Sequence, residues 1–247
     1  MTTAVSAAGR TLDIFELFGL AREPLSLTEL AKRISVPTSS CHAIVRTLQQ
    51  RGYLYSVSRR KEIYPTKRLL DLAQAIVAHD PFLERIAPLL LRLRDETGET
   101  VIFGKRQRDA VLYLEVIEGA HTVRYTARPG EYKPLHSSAI GKAVLAQLDA
   151  AALQTWLAAQ RLPAVTPNTI TKPQRLRADL QAGRKRGYFV TRGENVADVM
   201  AVAAGISING DAFGIAVAGP LQRMSAELDR HAQALAKTRR AIVAGQS

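Results

Sequence analysis

Apolar residues recur at helical spacing through roughly the first third of the chain and then give way to strand-like runs. Ile14, Leu17, Phe18 and Ala21 predict a helix over 10–21. Leu27, Leu30, Ala31 and Ile34 form one stripe of a second helix. Ser26 opens it with Glu29 three residues on, the spacing of a capping box in which each side chain satisfies the other residue's backbone N–H. After Ser35-Val36-Pro37 a third helix begins, with proline acceptable in its first turn because the N–H there has no helical partner. Cys41, Ile44, Val45 and Leu48 are its core positions, and Gly52 its left-handed stop. Tyr53-Leu54-Tyr55 and Glu62-Ile63-Tyr64 then read as strands around the turn Ser58-Arg59-Arg60-Lys61. This order is that of a winged helix-turn-helix, and it predicts DNA binding.

The outer face of the third helix supports the same reading. Ser39, His42, Arg46 and Gln49 lie opposite its core positions, and all can hydrogen-bond base edges or phosphates. With Thr38 and Ser40 in the first turn they form the expected base-reading set, while Arg59, Arg60 and Lys61 grip phosphate or the minor groove. The helical pattern alone also describes two core helices with a solvated face. The three successive cations at the hairpin tip favour the DNA reader.

A helix over 66–79 follows, with Leu69, Leu72, Ala73 and Ile76 on one face and no partner for them within so small a domain. It is expected to link two domains and to pair with another subunit. Asp80-Pro81 interrupts it, because the residue before proline avoids the helical region. Phe82, Ile86, Leu89, Leu90 and Leu93 predict a helix over 82–97 stopped by Gly98. Strands are expected at 100–105, 111–117 and 122–127, then helices at 138–147, 150–159 and 173–186. Asn209-Gly210-Asp211 joins strands at 200–208 and 212–218 in a hairpin, and a helix over 224–243 closes the chain. The expected fold class is α+β: a winged helix-turn-helix over 1–65, a linker helix over 66–80, and an α/β domain on a largely antiparallel sheet over 81–247.

Charge sharpens this division. The chain carries 34 Lys+Arg against 22 Asp+Glu, a net +12. Residues 1–70 hold 11 cations against 5 acids and the longer remainder 23 against 17, so the positive excess is densest in the helix-turn-helix segment. A basic domain attracts polyanions, and counterion release makes that binding salt-sensitive. No long apolar run or lipidation motif points to a membrane. The N-terminal residues lack the charged start and apolar core of a secretion signal, so a cytoplasmic protein is expected. The single cysteine, Cys41, excludes an intramolecular disulfide and reads as a small core residue.

Enzyme motifs are absent. There is no G-x-S-x-G elbow, and His136 beside Ser137 and Ser138 is not a triad. Gly141-Lys142 resembles the tail of a phosphate-binding loop, but His136 stands where its opening glycine should be. The histidines His42, His79, His121, His136 and His231 lack metal-ligand spacing. No cofactor or metal is expected. A metabolite-binding enzyme, or enzyme accessory, carrying a basic helix-turn-helix is the alternative function. What residues 133–146 do offer is a strand-to-helix junction with hydroxyls and backbone N–H groups, and a helix N-terminus favours carboxylate or phosphate. Taken in isolation these residues read better as an ordinary N-cap at Ser137 or Ser138; a second domain beside a DNA reader favours a sensory site.

Three segments together resemble the IclR family of bacterial transcriptional regulators. They are Leu27-Thr28-Glu29-Leu30-Ala31 leading to Pro37-Thr38-Ser39-Ser40-Cys41-His42; Pro134-Leu135-His136-Ser137-Ser138-Ala139-Ile140-Gly141-Lys142-Ala143; and Gly187-Tyr188 through Glu194 to Ala201-Val202-Ala203-Ala204. The resemblance implies a GAF-like effector-binding domain, and dimers or dimer-of-dimers tetramers on palindromic operators. It also implies an effector site around His136, Ser137, Ser138, Ala139 and Ile140, with side chains at Thr191, Ala201 and Ala216 forming its wall. Thr191 stands where Asp or Ser is usual, Ala201 where Cys is common, and Ser207 where an aromatic, His or Gly is usual. Two of the three wall positions are alanine. We expect a repressor of a catabolic operon; the helix N-terminus at 137–140 with Ala201 and Ala216 as apolar wall suggests as its effector a small organic acid with an apolar, aromatic body.

Overall fold

The computed structural model describes residues 7–57, 62–77 and 81–245. The chain divides into two units, Met1–Asp80 and Pro81–Ser247.

In the first unit α1 (Ala7–Ala21), α2 (Leu27–Arg33) and α3 (Thr38–Gln50) precede the hairpin β1 (Leu54–Ser56) and β2 (Ile63–Pro65), and α4 (Arg68–Val77) follows. The capping box forms: the Glu29 N–H donates to Ser26 Oγ at 3.3 Å, and the Ser26 N–H donates to Glu29 Oε2 at 2.8 Å. Gly52, with φ of 76°, turns the chain out of α3 into β1. Leu25 adds a one-residue bridge on the other side of β2 by exchanging backbone hydrogen bonds with Ile63 at 3.1 and 2.9 Å. Ile14, Phe18, Leu30, Cys41, Val45 and Leu54 fill the core. Each large apolar side chain buried this way contributes about 1.5–3 kcal/mol. The core thereby fixes which face of α3 points outward.

The second unit is a six-stranded, wholly antiparallel sheet in the order β5-β4-β3-β8-β7-β6. Its strands are β3 (Thr100–Gln107), β4 (Ala110–Ile117), β5 (Tyr132–Pro134), β6 (Phe189–Arg192), β7 (Val199–Ile208) and β8 (Asp211–Pro220). Helices α6 (Ala139–Leu145), α7 (Ala150–Ala159) and α8 (Pro173–Arg186) cover one face, and α5 (Pro81–Thr97), α9 (Leu221–Ala226) and α10 (Leu228–Ala244) the other. Side chains alternate accordingly. Ala216 and Ala218 of β8 join the first core, while Ile215 and Val217 join the second. With both faces covered, β8 is a continuous buried run rather than a half-polar strand. The β7–β8 turn has Asn209 at φ 51° and Gly210 at φ 84°, as a two-residue hairpin requires.

Three expectations need correction. Residues 122–127 form no strand: the edge of β4 that they would occupy is taken by β5, and the Tyr113 N–H donates to Glu131 O at 2.9 Å. Arg124 is instead held by Glu118 at 2.6 Å, and the Thr100 hydroxyl caps Tyr125 O. Second, β6 had no counterpart in the strand pattern. Third, the closing helix is two helices, broken at Glu227, with α9 starting directly after Pro220.

Candidate DNA-reading helix and effector pocket

Burial of Cys41, Val45 and Leu48 leaves Thr38, Ser39, His42 and Arg46 exposed on α3, and Ser40 partly so. Gln49 is half-buried and donates to Ser56 Oγ at 3.3 Å, which ties the helix to the hairpin. No side chain caps α3, so the N–H groups of Thr38, Ser39 and Ser40 have no partner among the described residues. Open N–H groups at a helix start suit a phosphate, a contribution hidden from the sequence because it belongs to the backbone. Arg59, Arg60 and Lys61 lie outside the described residues.

In the second unit the α6 N-terminus meets the sheet. Ser138 Oγ accepts from the Gly141 N–H at 3.1 Å and donates to Pro134 O at 2.7 Å, so this hydroxyl is committed to capping. The N–H groups of Ala139 and Ile140 have no partner among the described residues. Ser138, Ala139, Ile140, Thr191, Ala201 and Ala216 line one cavity, brought together from α6, β6, β7 and β8. His136 and Ser137 do not line it. The His136 ring turns to Pro163 O at 2.9 Å, and burial pushes its pKa below the ordinary imidazole value. Ser137 Oγ accepts from Asn195 Nδ2 at 3.1 Å and so supports the wall from behind.

Sequence reasoning missed the cavity's other polar groups, which are Tyr113, Tyr125 and Asn195. Burial raises the Tyr113 phenol well above its ordinary value and raises Tyr125 as well, so both remain neutral hydrogen-bonding groups. Ile102, Val196 and Val199 complete an apolar side. The free space is about 30 Å³, room for a water or two. Among the described residues no cluster of His, Cys, Asp and Glu could hold a metal, and no helix is long and apolar enough to cross a membrane.

Residues 7–58 match the IclR helix-turn-helix domain, and residues 74–244 match the C-terminal domain of the bacterial transcriptional regulator IclR. The HTH-type transcriptional regulator BhcR of Paracoccus denitrificans is 36% identical, over 90% of this chain and 80% of that protein. The transcriptional repressor IclR of Escherichia coli is 28% identical, over 91% and 83%. Among solved structures, an IclR homolog from Microbacterium hydrocarbonoxydans in complex with 4-hydroxybenzoate shares the fold. Its TM-score is 0.75 at 23% identity, covering 97% of this chain and 100% of that one. These families and relatives are regulators, which removes the enzyme alternative. The chain, a DNA-binding helix-turn-helix followed by an effector-binding domain, belongs to the IclR family of bacterial transcriptional regulators.

Proposed function

We propose that the protein is a cytoplasmic repressor of a catabolic operon whose hold on a palindromic operator changes when a small organic carboxylate enters the cavity of the second unit. The observation that carries this is the pair of open N–H groups at Ala139 and Ile140 on the lining of a cavity that also holds tyrosyl and amide groups. A carboxylate there would replace its lost water with fixed donors. Ala201, Ala216, Val196 and Val199 offer apolar surface to the rest of the ligand, and an aromatic body gains about 25 cal/mol for each Å² it buries against them. The relative crystallised with 4-hydroxybenzoate binds such an acid. A ring exceeds the free space, so the cavity must widen to admit it. Calorimetry on the full chain with benzoate and 4-hydroxybenzoate against pyruvate and glyoxylate tests the class. Binding of aromatic acids should be tighter; tighter binding of the compact oxo-acids overturns the aromatic reading, and binding of none overturns the carboxylate reading.

The operator-bound species is proposed to be a homodimer, or a tetramer made of two dimers. No residue of α4 is buried within the first unit, and Leu72 and Ile76 are 44% and 65% exposed. A two-fold axis through such a face sets two copies of α3 on half-sites about 34 Å apart. Sedimentation of the full chain against a Leu72→Glu/Ile76→Glu variant checks this: the variant should lose a step of assembly and bind operator more weakly, and unchanged sedimentation counts against α4 as the contact.

A further inference from the structure

Every residue of α6 is buried, and one of them is Lys142. Its Nζ lies 2.7 Å from Asp179 Oδ2 on α8 and 2.8 Å from Glu194 Oε1 on the loop between β6 and β7. The second Glu194 oxygen, Oε2, is buried without a hydrogen-bond partner among the described residues. Burial holds this carboxyl above the ordinary glutamate range even with Lys142 beside it. An arrangement of this kind is a poor way to stabilise a core, because taking two charges out of water offsets their attraction and an apolar side chain of similar volume does as well or better. In some proteins a buried ion pair specifies position instead.

The position specified is that of the cavity wall. Gly193 has φ of 68°, and its N–H donates to Val199 O at 2.8 Å, closing the loop on itself. Thr166 Oγ1 donates to Gly193 O at 2.6 Å and Thr169 Oγ1 to Glu194 O at 2.7 Å. The next residues, Asn195 and Val196, line the cavity. Lys142 itself does not, yet it sits one helical turn beyond Ala139, which lines the same cavity. One side chain thus ties the helix that presents the N–H groups to the loop opposite.

We propose that Lys142 and Glu194 are positioning residues for effector recognition: their ion pair latches loop 193–198 against α6 and thereby sets which acids fit, without touching the ligand. This rests on the reading of the cavity as a carboxylate site, but the latch can be measured without any ligand. Hydrogen exchange on the free, full-length protein is the first arm. In Glu194→Gln, which keeps an acceptor for the ammonium, and in Lys142→Met, amides of 193–199 should exchange at least about tenfold faster than in the parent. Unchanged exchange in a folded variant overturns the latch, and if Lys142→Met does not fold, Glu194→Gln decides alone. Calorimetry with benzoate and pyruvate is the second arm. The ratio of the two affinities should shrink by about tenfold in the variants, while operator affinity without acid stays within about twofold. A loosened loop with the ratio unchanged overturns the role in selectivity. A parent protein that binds neither acid refutes the carboxylate reading instead, and the exchange arm still judges the latch.

Discussion

Gly141→Ala should damage the second unit and its pocket together, although it adds one methyl group to a helix. A Cβ at Gly141 would meet the backbone of Leu135, at 2.5 Å from Cα and 2.7 Å from the carbonyl carbon, and closer still to the carbonyl oxygen. None of these atoms can rotate away, so α6 must lift off the 134–136 segment. Overpacking of this kind costs about 1–3 kcal/mol, here toward the upper end, and the better helix propensity of alanine returns at most about 1 kcal/mol. A net loss of about 2 kcal/mol lowers the midpoint of a unit this size by roughly 4–8 °C. The assay is specific, because the single tryptophan, Trp156, is buried in the second unit and its fluorescence reports that unit alone. Effector affinity should fall with the midpoint, since Ala139 and Ile140 move with the helix. The control is Gly19→Ala in α1, where a Cβ meets nothing within 4 Å. There the same substitution should stabilise the first unit by up to about 1 kcal/mol and leave the Trp156 transition in place. If the Gly141→Ala transition lies within a degree or so of the parent, the close approach does not govern the position of α6 and the reasoning fails.

Ser26→Ala removes the Oγ half of the capping box, leaving the backbone N–H at that position bonded to Glu29, and should cost the first unit about 0.5–2 kcal/mol, read as a lower urea midpoint by circular dichroism with Trp156 fluorescence unmoved. Arg46→Ala should weaken operator binding by about 1–3 kcal/mol and relax preference at one base position. An Arg59/Arg60/Lys61 triple alanine should instead weaken all sequences and flatten the salt dependence by a slope of nearly three; equal slopes would remove the wing from the phosphate contacts. His231 is buried with Nδ1 unpartnered among the described residues, and burial holds its pKa below the ordinary 6.5. The unfolded chain therefore takes up protons first as pH falls, so stability is full above about pH 6.5 and declines below it toward the lower folded value. The Trp156 melting temperature should drop between about pH 7.5 and 5.5, less steeply in His231→Gln, and a parallel pair of profiles would rule this histidine out.

The first unit was legible because its determinants are local. A capping box, a left-handed glycine and apolar residues three and four apart each act within a turn or two, and the outward face of α3 follows once Cys41, Val45 and Leu48 are inward. The β7–β8 hairpin was legible for the same reason. The errors lie where a distant segment decides. Residues 122–127 alternate like a strand, but strand status depends on a free edge, and β5 occupies it. Phe189–Arg192 is buried at three of four positions, which erases the alternation that would have marked β6. The break between α9 and α10 carries neither glycine nor proline, so nothing local announced it.

The site divides along the same line, and Gly141-Lys142 shows where more could have been read. The dipeptide mimics a phosphate loop, yet each residue answers a separate demand. Glycine is the residue that lets α6 approach Leu135, and lysine is the residue that reaches a carboxylate 52 positions away. Tyr113, Tyr125 and Asn195 come from segments whose convergence only the fold supplies. Lys142 is different, because the surrounding Ala139-Ile140-Gly141 and Ala143-Val144-Leu145 mark a helix apolar on every side. An ammonium cannot remain unpaired in such surroundings, so the pattern already required an acidic partner from elsewhere in the chain. The identity of that partner was unreadable, but its existence was not. A charge inside an all-apolar helix is thus a long-range constraint written locally, and here it leads to the loop whose Asn195 and Val196 line the cavity.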